Sequence, residues 1–334
     1  MLDERKAAIL RTVVEEYIRT AQPVGSSHVV RTRAIKVSAA TVRNEMMALE
    51  QDGYLVQPHT SAGRVPTEKG YRFFVDAIVG QLPPLHPQHH QQVRSFFAQA
   101  HGAIEEMLQD TSRLLVNLTD YAAVVVAPAH EDATIRSVQL VGLGGRHSLL
   151  VAVLSNGAVE KATVELAEET GDERLTAATA HLSAHLMGAT VAELPAVPDT
   201  GDTSLDDACH RAVRALASEH EAEPDEVFVG GTSRMAAAFD AVDSVRRVLS
   251  ILEQQYVVVS LLRDVLDRGL TVAIGTEHGV EGLAECSIVV APYEVEGEPA
   301  GTIGVLGPTR MNYPQALAAV AVVSNRLGKR LSEG

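Results

Sequence analysis

Near the start of the chain the apolar positions recur with a helical period. Ile9, Leu10, Val13, Val14, Tyr17 and Ile18 fall on one stripe of residues 3–20, with charged residues opposite. Gln22-Pro23-Val24-Gly25 ends that helix and turns the chain. Ser26 is placed to cap a short second helix over about 27–33, and Ser38 a third that runs to about 52, where Gly53 stops it. Three helices with tight connections predict a helix-turn-helix topology. On the third, Ala39, Val42, Met46 and Leu49 are expected to pack inward, which turns Ala40, Thr41, Arg43, Asn44 and Met47 outward. Tyr54-Leu55-Val56 then reads as a short strand, and residues 57–66 as a loop and a returning strand.

Further on, Leu82-Pro83-Pro84-Leu85-His86-Pro87-Gln88-His89-His90 reads as a linker, and Val93–Leu118 has helical spacing. The texture then changes to strands at Tyr121–Ala127, Ile135–Leu140, Ser148–Leu154 and Ala158–Leu166, with Asn156-Gly157 as a hairpin turn, which predicts an antiparallel meander. Leu175–Met187, Leu205–His220 and Val242–Leu266 are helical in pattern, around a short strand at Val227–Val229. The β texture returns at Val272–Ile274, Ser287–Tyr293 and Gly301–Leu306, and Pro314–Leu331 closes the chain as a helix. A β-region interrupted by helices and then resumed predicts one domain inserted in another.

Composition bounds the function. The chain has 334 residues, enough for two or three compact units. No apolar run approaches the ~20 residues that cross a bilayer, and no apolar segment follows the charged start, so a soluble cytoplasmic protein is expected. Two cysteines, Cys209 and Cys286, cannot build a disulfide framework or a cysteine-based zinc site. The net charge of −15 speaks against nucleic acid until it is divided. Residues 1–76 hold eleven Lys/Arg and nine Asp/Glu, so all the acidity lies beyond them.

The outward face of the third helix carries the chemistry of base reading. Arg43 can bind guanine O6/N7 and Asn44 adenine N6/N7, both bidentately, while Thr41 suits a phosphate. Ser38 caps the helix, and Lys36 and Arg33 stand at its entrance within reach of phosphate. An ordinary amphipathic helix in a small bundle would show the same spacing. The hairpin that follows favours DNA: it is placed as the wing of a winged helix, with His59, Thr60, Ser61 and Arg64 near its tip.

Longer runs carry a resemblance. They are Ser38-Ala39-Ala40-Thr41-Val42-Arg43-Asn44-Glu45-Met46, Gly53-Tyr54-Leu55, Pro58-His59-Thr60-Ser61-Ala62-Gly63-Arg64-Val65-Pro66-Thr67 and Gly70-Tyr71-Arg72. With Pro23-Val24-Gly25-Ser26, Gly230-Gly231-Thr232, Ile274-Gly275, Glu277, Cys286-Ser287, Tyr313 and Gly304-Val305-Leu306-Gly307-Pro308-Thr309-Arg310-Met311, the chain resembles the HrcA heat-inducible transcription repressor family. One departure is Ser27-His28-Val29, where an Arg-Thr-Leu-like stretch is expected. The resemblance implies an α+β multidomain protein: an N-terminal winged helix-turn-helix, and a GAF-like α/β domain with an inserted helical or mixed dimerisation domain. It implies a homodimer that binds double-stranded DNA at an inverted-repeat operator of chaperonin and related heat-shock genes. It also implies modulation by a GroEL-type chaperonin, no cofactor, no membrane and no enzymatic activity. The expected boundaries are 1–80 for the DNA-binding domain and 81–118 for a linker and connecting helix. The GAF-like domain is expected at 119–166 and 267–334, around an insertion at 167–266. An alternative is a metabolite-sensing winged-helix regulator with an effector in the GAF-like domain.

Other constellations are weaker. Cys286 with His278 and Glu277 suggests a thiol dyad, against which a buried structural cysteine is the simpler reading. His181 and His185 share a helix face without a third metal ligand in range, and His86, His89 and His90 sit in the linker. Gly142-Leu143-Gly144-Gly145-Arg146 lacks a phosphate-loop spacing and reads as a hairpin turn. The glycines of 301–310 serve either tight packing or a ligand's approach. Val245, Leu249, Leu252, Tyr256 and Val259 form an apolar helical face for a core or an interface.

Overall fold

The computed structural model describes residues 2–31, 37–59, 62–80, 82–99, 104–128, 133–155, 158–168, 170–222, 226–234, 242–268 and 271–333. The first amphipathic stripe forms α1 (Glu4–Thr20), whose N-cap Asp3 accepts the Lys6 N–H, and its buried side includes Ile9, Leu10, Val13 and Val14. Next comes α2 (Ser26–Arg31). Gly25, not Ser26, is its cap: the Gly25 carbonyl accepts the His28 and Val29 N–H groups, so Ser26 is already helical. α3 (Ala39–Gln51) is capped by Ser38, whose Oγ accepts the Thr41 N–H at 3.1 Å.

β1 (Leu55–Val56) and β2 (Val65–Pro66) pair antiparallel, Leu55 opposite Pro66. Val24 and Arg64 exchange both backbone hydrogen bonds at 2.9 Å, which ties the turn before α2 to this hairpin. Gly63 makes that approach possible, because a Cβ there would lie 2.5 Å from the Val24 carbonyl.

α4 (Glu68–Val79) leads away from the hairpin, and α5 (Pro87–Gln99) and α6 (Ile104–Thr119) follow. Part of the expected linker is therefore helical. Pro87 occupies the first helical position, where its missing N–H costs nothing. The chain continues through β3 (Ala122–Val126), β4 (Ile135–Gly144), β5 (His147–Leu154), β6 (Val159–Glu165), α7 (Asp172–Leu186), α8 (Thr203–Ala222) and β7 (Val227–Gly230). It closes with α9 (Val242–Leu252), α10 (Gln255–Asp267), β8 (Val272–Ile274), β9 (Cys286–Val295), β10 (Glu298–Pro308) and α11 (Tyr313–Ser332).

Strand pairing departs from the expected meander. β3 does not join β4; it lies between β7 and β10 in an antiparallel sheet ordered β7-β3-β10-β9-β8, while β4-β5-β6 form a sheet of their own. The two textures explain the split. Ala122–Val126 is buried at every position, because helices cover both faces of its sheet. Val159–Glu165 alternates exposed and buried, so only one face of its sheet is covered, by α7 and α8.

Val126 and Val227 are register partners, so the chain leaves the five-stranded sheet and re-enters it at adjoining points. What lies between has a separate core that includes Leu150, Leu154, Leu182, Leu186 and Leu216. The expected break at 166/167 therefore falls inside one core, since β6 and α7 both line it. The helices at 242–266, expected within the insertion, pack instead on the five-stranded sheet through Val248, Leu252, Val258 and Leu262 against Val124, Ile288 and Leu306. Tyr256 stands apart from that face, 85% exposed.

The N-terminal helices are fastened to this sheet at one joint. The Glu68 carboxylate accepts the Thr276 N–H at 3.1 Å and its hydroxyl at 2.7 Å. Arg72 donates from Nε to Glu277 at 2.9 Å, to the other Glu277 oxygen, and to the Val272 carbonyl at 2.7 Å. Glu277 also accepts the Ile274 N–H at 2.8 Å. Gly275, at φ +55, leaves room for the Glu68 carboxylate where a Cβ would collide with it.

Beside the joint, His278 is buried, with Nε2 3.0 Å from the Leu283 carbonyl and Nδ1 3.2 Å from the Val280 N–H. Those partners select the neutral ring, protonated on Nε2. Burial lowers the His278 pKa from its ordinary value. A depressed histidine contributes stability above its unfolded pKa of about 6.5 and loses it as the pH falls below that, because the unfolded chain then binds the proton more readily. Urea denaturation should therefore show a drop in stability between about pH 7.5 and about pH 5.5 that is smaller in His278→Gln. An unchanged drop in the variant would show that His278 is not its source.

Candidate nucleic-acid interface

Burial divides α3 as the apolar spacing requires. Val42, Met46 and Leu49 are fully buried against α1 and α2, and Ala40, Arg43, Asn44 and Met47 form an exposed stripe along the opposite face. Ala39 was expected inside and is exposed, because the buried stripe starts only at Val42, one turn into the helix. Thr41 is half-buried, with Oγ1 2.9 Å from the Ser38 hydroxyl, so the two share the helix entrance. Arg43 and Asn44 make no side-chain hydrogen bond or ion pair among the described residues. The five donors of one and the amide of the other are free for an external partner.

The hairpin contributes differently than expected. His59 is exposed, and its carbonyl accepts the Ala62 N–H at 2.8 Å in the loop. Arg64 turns inward. Its side chain is only 13% exposed, with Nε 3.0 Å and a terminal nitrogen 2.9 Å from the same Glu50 oxygen. It clamps the hairpin to the last turn of α3 instead of reaching outward. Arg33, Lys36, Thr60 and Ser61 lie outside the described residues. Glu50 is the partner that sequence reasoning missed. It lies 14 positions before Arg64, and only the fold of the hairpin back onto α3 brings them together.

Other basic residues of this region are also engaged. Arg5 pairs with Glu45 at 3.6 Å, Lys6 with Asp52 at 3.8 Å and Arg19 with Glu16 at 2.6 Å. Lys69 donates to the Asp52 carbonyl at 2.8 Å and lies 4.4 Å from the centre of the Tyr54 ring. His28, at the departure from the family pattern, sits 2.8 Å from Glu16 and so links α2 to α1.

The remaining candidates are structural. Burial pushes the Cys286 thiol up to about 12 and the Cys209 thiol up to about 11, so both stay protonated at neutral pH. Both ring nitrogens of His278 are bound to backbone, which leaves no base for a Cys286 thiolate. His181 lies 2.7 Å from the Pro198 carbonyl and His185 2.9 Å from the His181 carbonyl. Among the described residues no cluster of three or more His, Cys, Asp or Glu is arranged to hold a metal. Residues 142–146 form the turn end of the β4–β5 hairpin. Between α9–α10 and the five-stranded sheet the described residues enclose a cavity of about 10 Å³, room for about one water. An open cleft of about 830 Å³ runs between β9 and α11, lined by Glu294, Asn325 and Lys329 among others.

Residues 105–317 match the family model described as HrcA protein C terminal domain. The chain is 39% identical to the "Heat-inducible transcription repressor HrcA" of Nocardia farcinica, over 99% of this chain and 97% of the relative. It is 38% identical to the protein of that name from Acidothermus cellulolyticus, over 100% of both chains. The relative in Moorella thermoacetica is 36% identical over 99% and 98%. A solved structure described as a hypothetical protein at 2.2 Å resolution superposes with a TM-score of 0.70 at 24% identity, covering 100% of this chain and 99% of that one, so the two share a fold.

The Arg64–Glu50 clamp makes a prediction that separates it from a phosphate contact. Arg64→Ala should lower folding stability by about 1–2 kcal/mol while leaving the salt dependence of DNA binding unchanged. A phosphate contact predicts instead a salt slope smaller by about one. Denaturation and anisotropy titrations at several salt concentrations read the two quantities separately.

Proposed function

The chain belongs to the HrcA family of heat-inducible transcription repressors, and from that premise we propose that it acts in the cytoplasm as a homodimer on an inverted-repeat operator of heat-shock genes. The family is one of transcription repressors, not enzymes. Among the described residues no helix is long and apolar enough to cross a membrane. Modulation by a GroEL-type chaperonin belongs to the proposal on the strength of the family resemblance alone.

The observation that carries the reading is the unpartnered Arg43–Asn44 stripe on α3, beside a two-stranded hairpin. In this reading residues 1–80 are a winged helix, with α3 as recognition helix and β1–β2 as wing. Ser38 and Thr41 face phosphate at the helix entrance, together with Lys36 and Arg33. His59, Thr60 and Ser61 approach the DNA backbone from the wing. Residues 81–118 connect this unit to a GAF-like domain, proposed now as 119–126 with 227–334, around an insertion at 127–226. Selection from a random pool of duplexes at defined salt should enrich an inverted repeat. On that operator, Arg43→Ala should reduce discrimination against a scrambled duplex by about 1–3 kcal/mol. An affinity ratio that does not change would remove Arg43 from base reading.

The insertion is the proposed dimerisation unit. Its sheet is covered on one side only, and the other side presents Val141, Leu143, Leu149, Val151, Val153 and Val159. Val141 and Leu149 are register partners, as are Val153 and Val159, and Val151 lies between them on β5 with Gln139 and Lys161 as its neighbours, so the apolar side chains run as a band along β5. A two-fold axis through it would join two copies isologously, the symmetry that an inverted repeat requires. Val151→Lys should convert the dimer to a monomer in sedimentation velocity and weaken operator binding. A variant that remains dimeric would exclude this face.

A further inference from the structure

We infer that Met47 is a specificity-determining residue that recognises the methyl group of a thymine in the operator's major groove. The inference rests on α3 being the recognition helix. Met47 follows Arg43 by four positions and Asn44 by three, so all three lie on one exposed stripe. It is 45% exposed, and among the described residues it is the one large apolar side chain that α3 leaves to solvent. A single exposed apolar residue is ordinary on a protein surface. Its place here is not, because the neighbours on the stripe are an unpartnered guanidinium and an unpartnered amide.

The same stripe carries the small Ala40 one turn before Arg43 and Asn44, so nothing bulky there holds the helix away from a groove. Arg and Asn are suited to guanine and adenine edges, and the apolar feature of the major groove is the C5-methyl of thymine. Four residues of helix advance about 6 Å, and base pairs step about 3.4 Å. Met47 therefore addresses a base pair one or two steps from the one that Arg43 reads. Its unbranched thioether can settle around a methyl group without demanding one rotamer.

Replacing thymine by uracil removes only that methyl, which gives a direct test. The enriched operator is resynthesised with each dT of one half-site changed singly to dU, and the full-length protein is titrated against every duplex by anisotropy. Wild type should bind one of these duplexes about fourfold more weakly, the factor for burying one carbon group. Met47→Ala should bind the dT and dU forms of that duplex equally, with Arg43-dependent discrimination retained. Met47→Leu should keep a preference for the dT form. The inference is overturned if no single dU weakens wild type, or if Met47→Ala keeps the full penalty. A pool that enriches no sequence would instead overturn the recognition-helix reading, and this inference with it.

Discussion

The ion pair between Arg72 and Glu277 fixes where the exposed face of α3 points. Through it α4 is fastened to the segment after β8, and α4 carries the hairpin and the three helices before it. Two half-buried charges in contact are stable only if their remaining polar atoms are also satisfied. Here they are. Arg72 reaches the Val272 carbonyl as well, Glu277 takes the Ile274 N–H, and Glu68 adds two bonds to Thr276. Apolar packing extends the joint, with Tyr71 of α4 5.9 Å from Tyr313 at the start of α11. Buried residues of α1, α3 and α4 share one cluster with those of the five-stranded sheet and α11. The N-terminal unit is held at a set angle, not hung on a free tether.

That rigidity matters for the proposed function. A dimer on an inverted repeat must present two helices at a separation set by the DNA repeat. If the insertion joins the two copies, the path from its sheet to α3 runs through β3 and β7, across the sheet to β8, and through the Arg72–Glu277 joint. Arg136 of β4 also pairs with Glu296 of the β9–β10 turn, a second tie between insertion and sheet. Anything that shifts β8 relative to α4 would therefore change the angle of α3 without touching it.

Much of this was legible in the chain. The stripes of α1 and α3, the Ser38 cap and the short strands after α3 all follow from local spacing and capping chemistry, which one segment carries within itself. What was not legible is pairing. The Arg72–Glu277 contact spans 205 positions, and no periodicity records it. The same holds for the strands: their existence could be read, but the assignment of β3 to a sheet other than β4's depends on which faces are covered. One signal was available. An all-apolar run such as Ala122–Val126 belongs in a sheet covered on both faces, and an alternating run such as Val159–Glu165 in one covered on one. Reading that difference would have placed β3 and β4 in separate sheets. The inward turn of Arg64 onto Glu50 was hidden for a related reason, since a cation at a loop tip and a cation folded under it have the same sequence.

The inward turn of Arg64 reduces the positive charge that the N-terminal unit presents to solvent. Residues 1–76 carry a formal charge of +2, but Arg5, Lys6, Arg19, Arg64, Lys69 and Arg72 all have partners within the molecule. Of these, all but Lys69 face a carboxylate, and a cation already neutralised by a carboxylate releases few counterions from DNA, which reduces the sequence-independent part of binding. The acidic remainder of the chain, at −17, opposes the duplex further. In the proposed reading little affinity is then left for arbitrary DNA, and discrimination rests on groups that touch base edges and on the geometry of two copies. On α3 the groups proposed for that role are Arg43, Asn44 and Met47. On the proposed function, the operator would be distinguished less by strong binding than by weak binding of everything else.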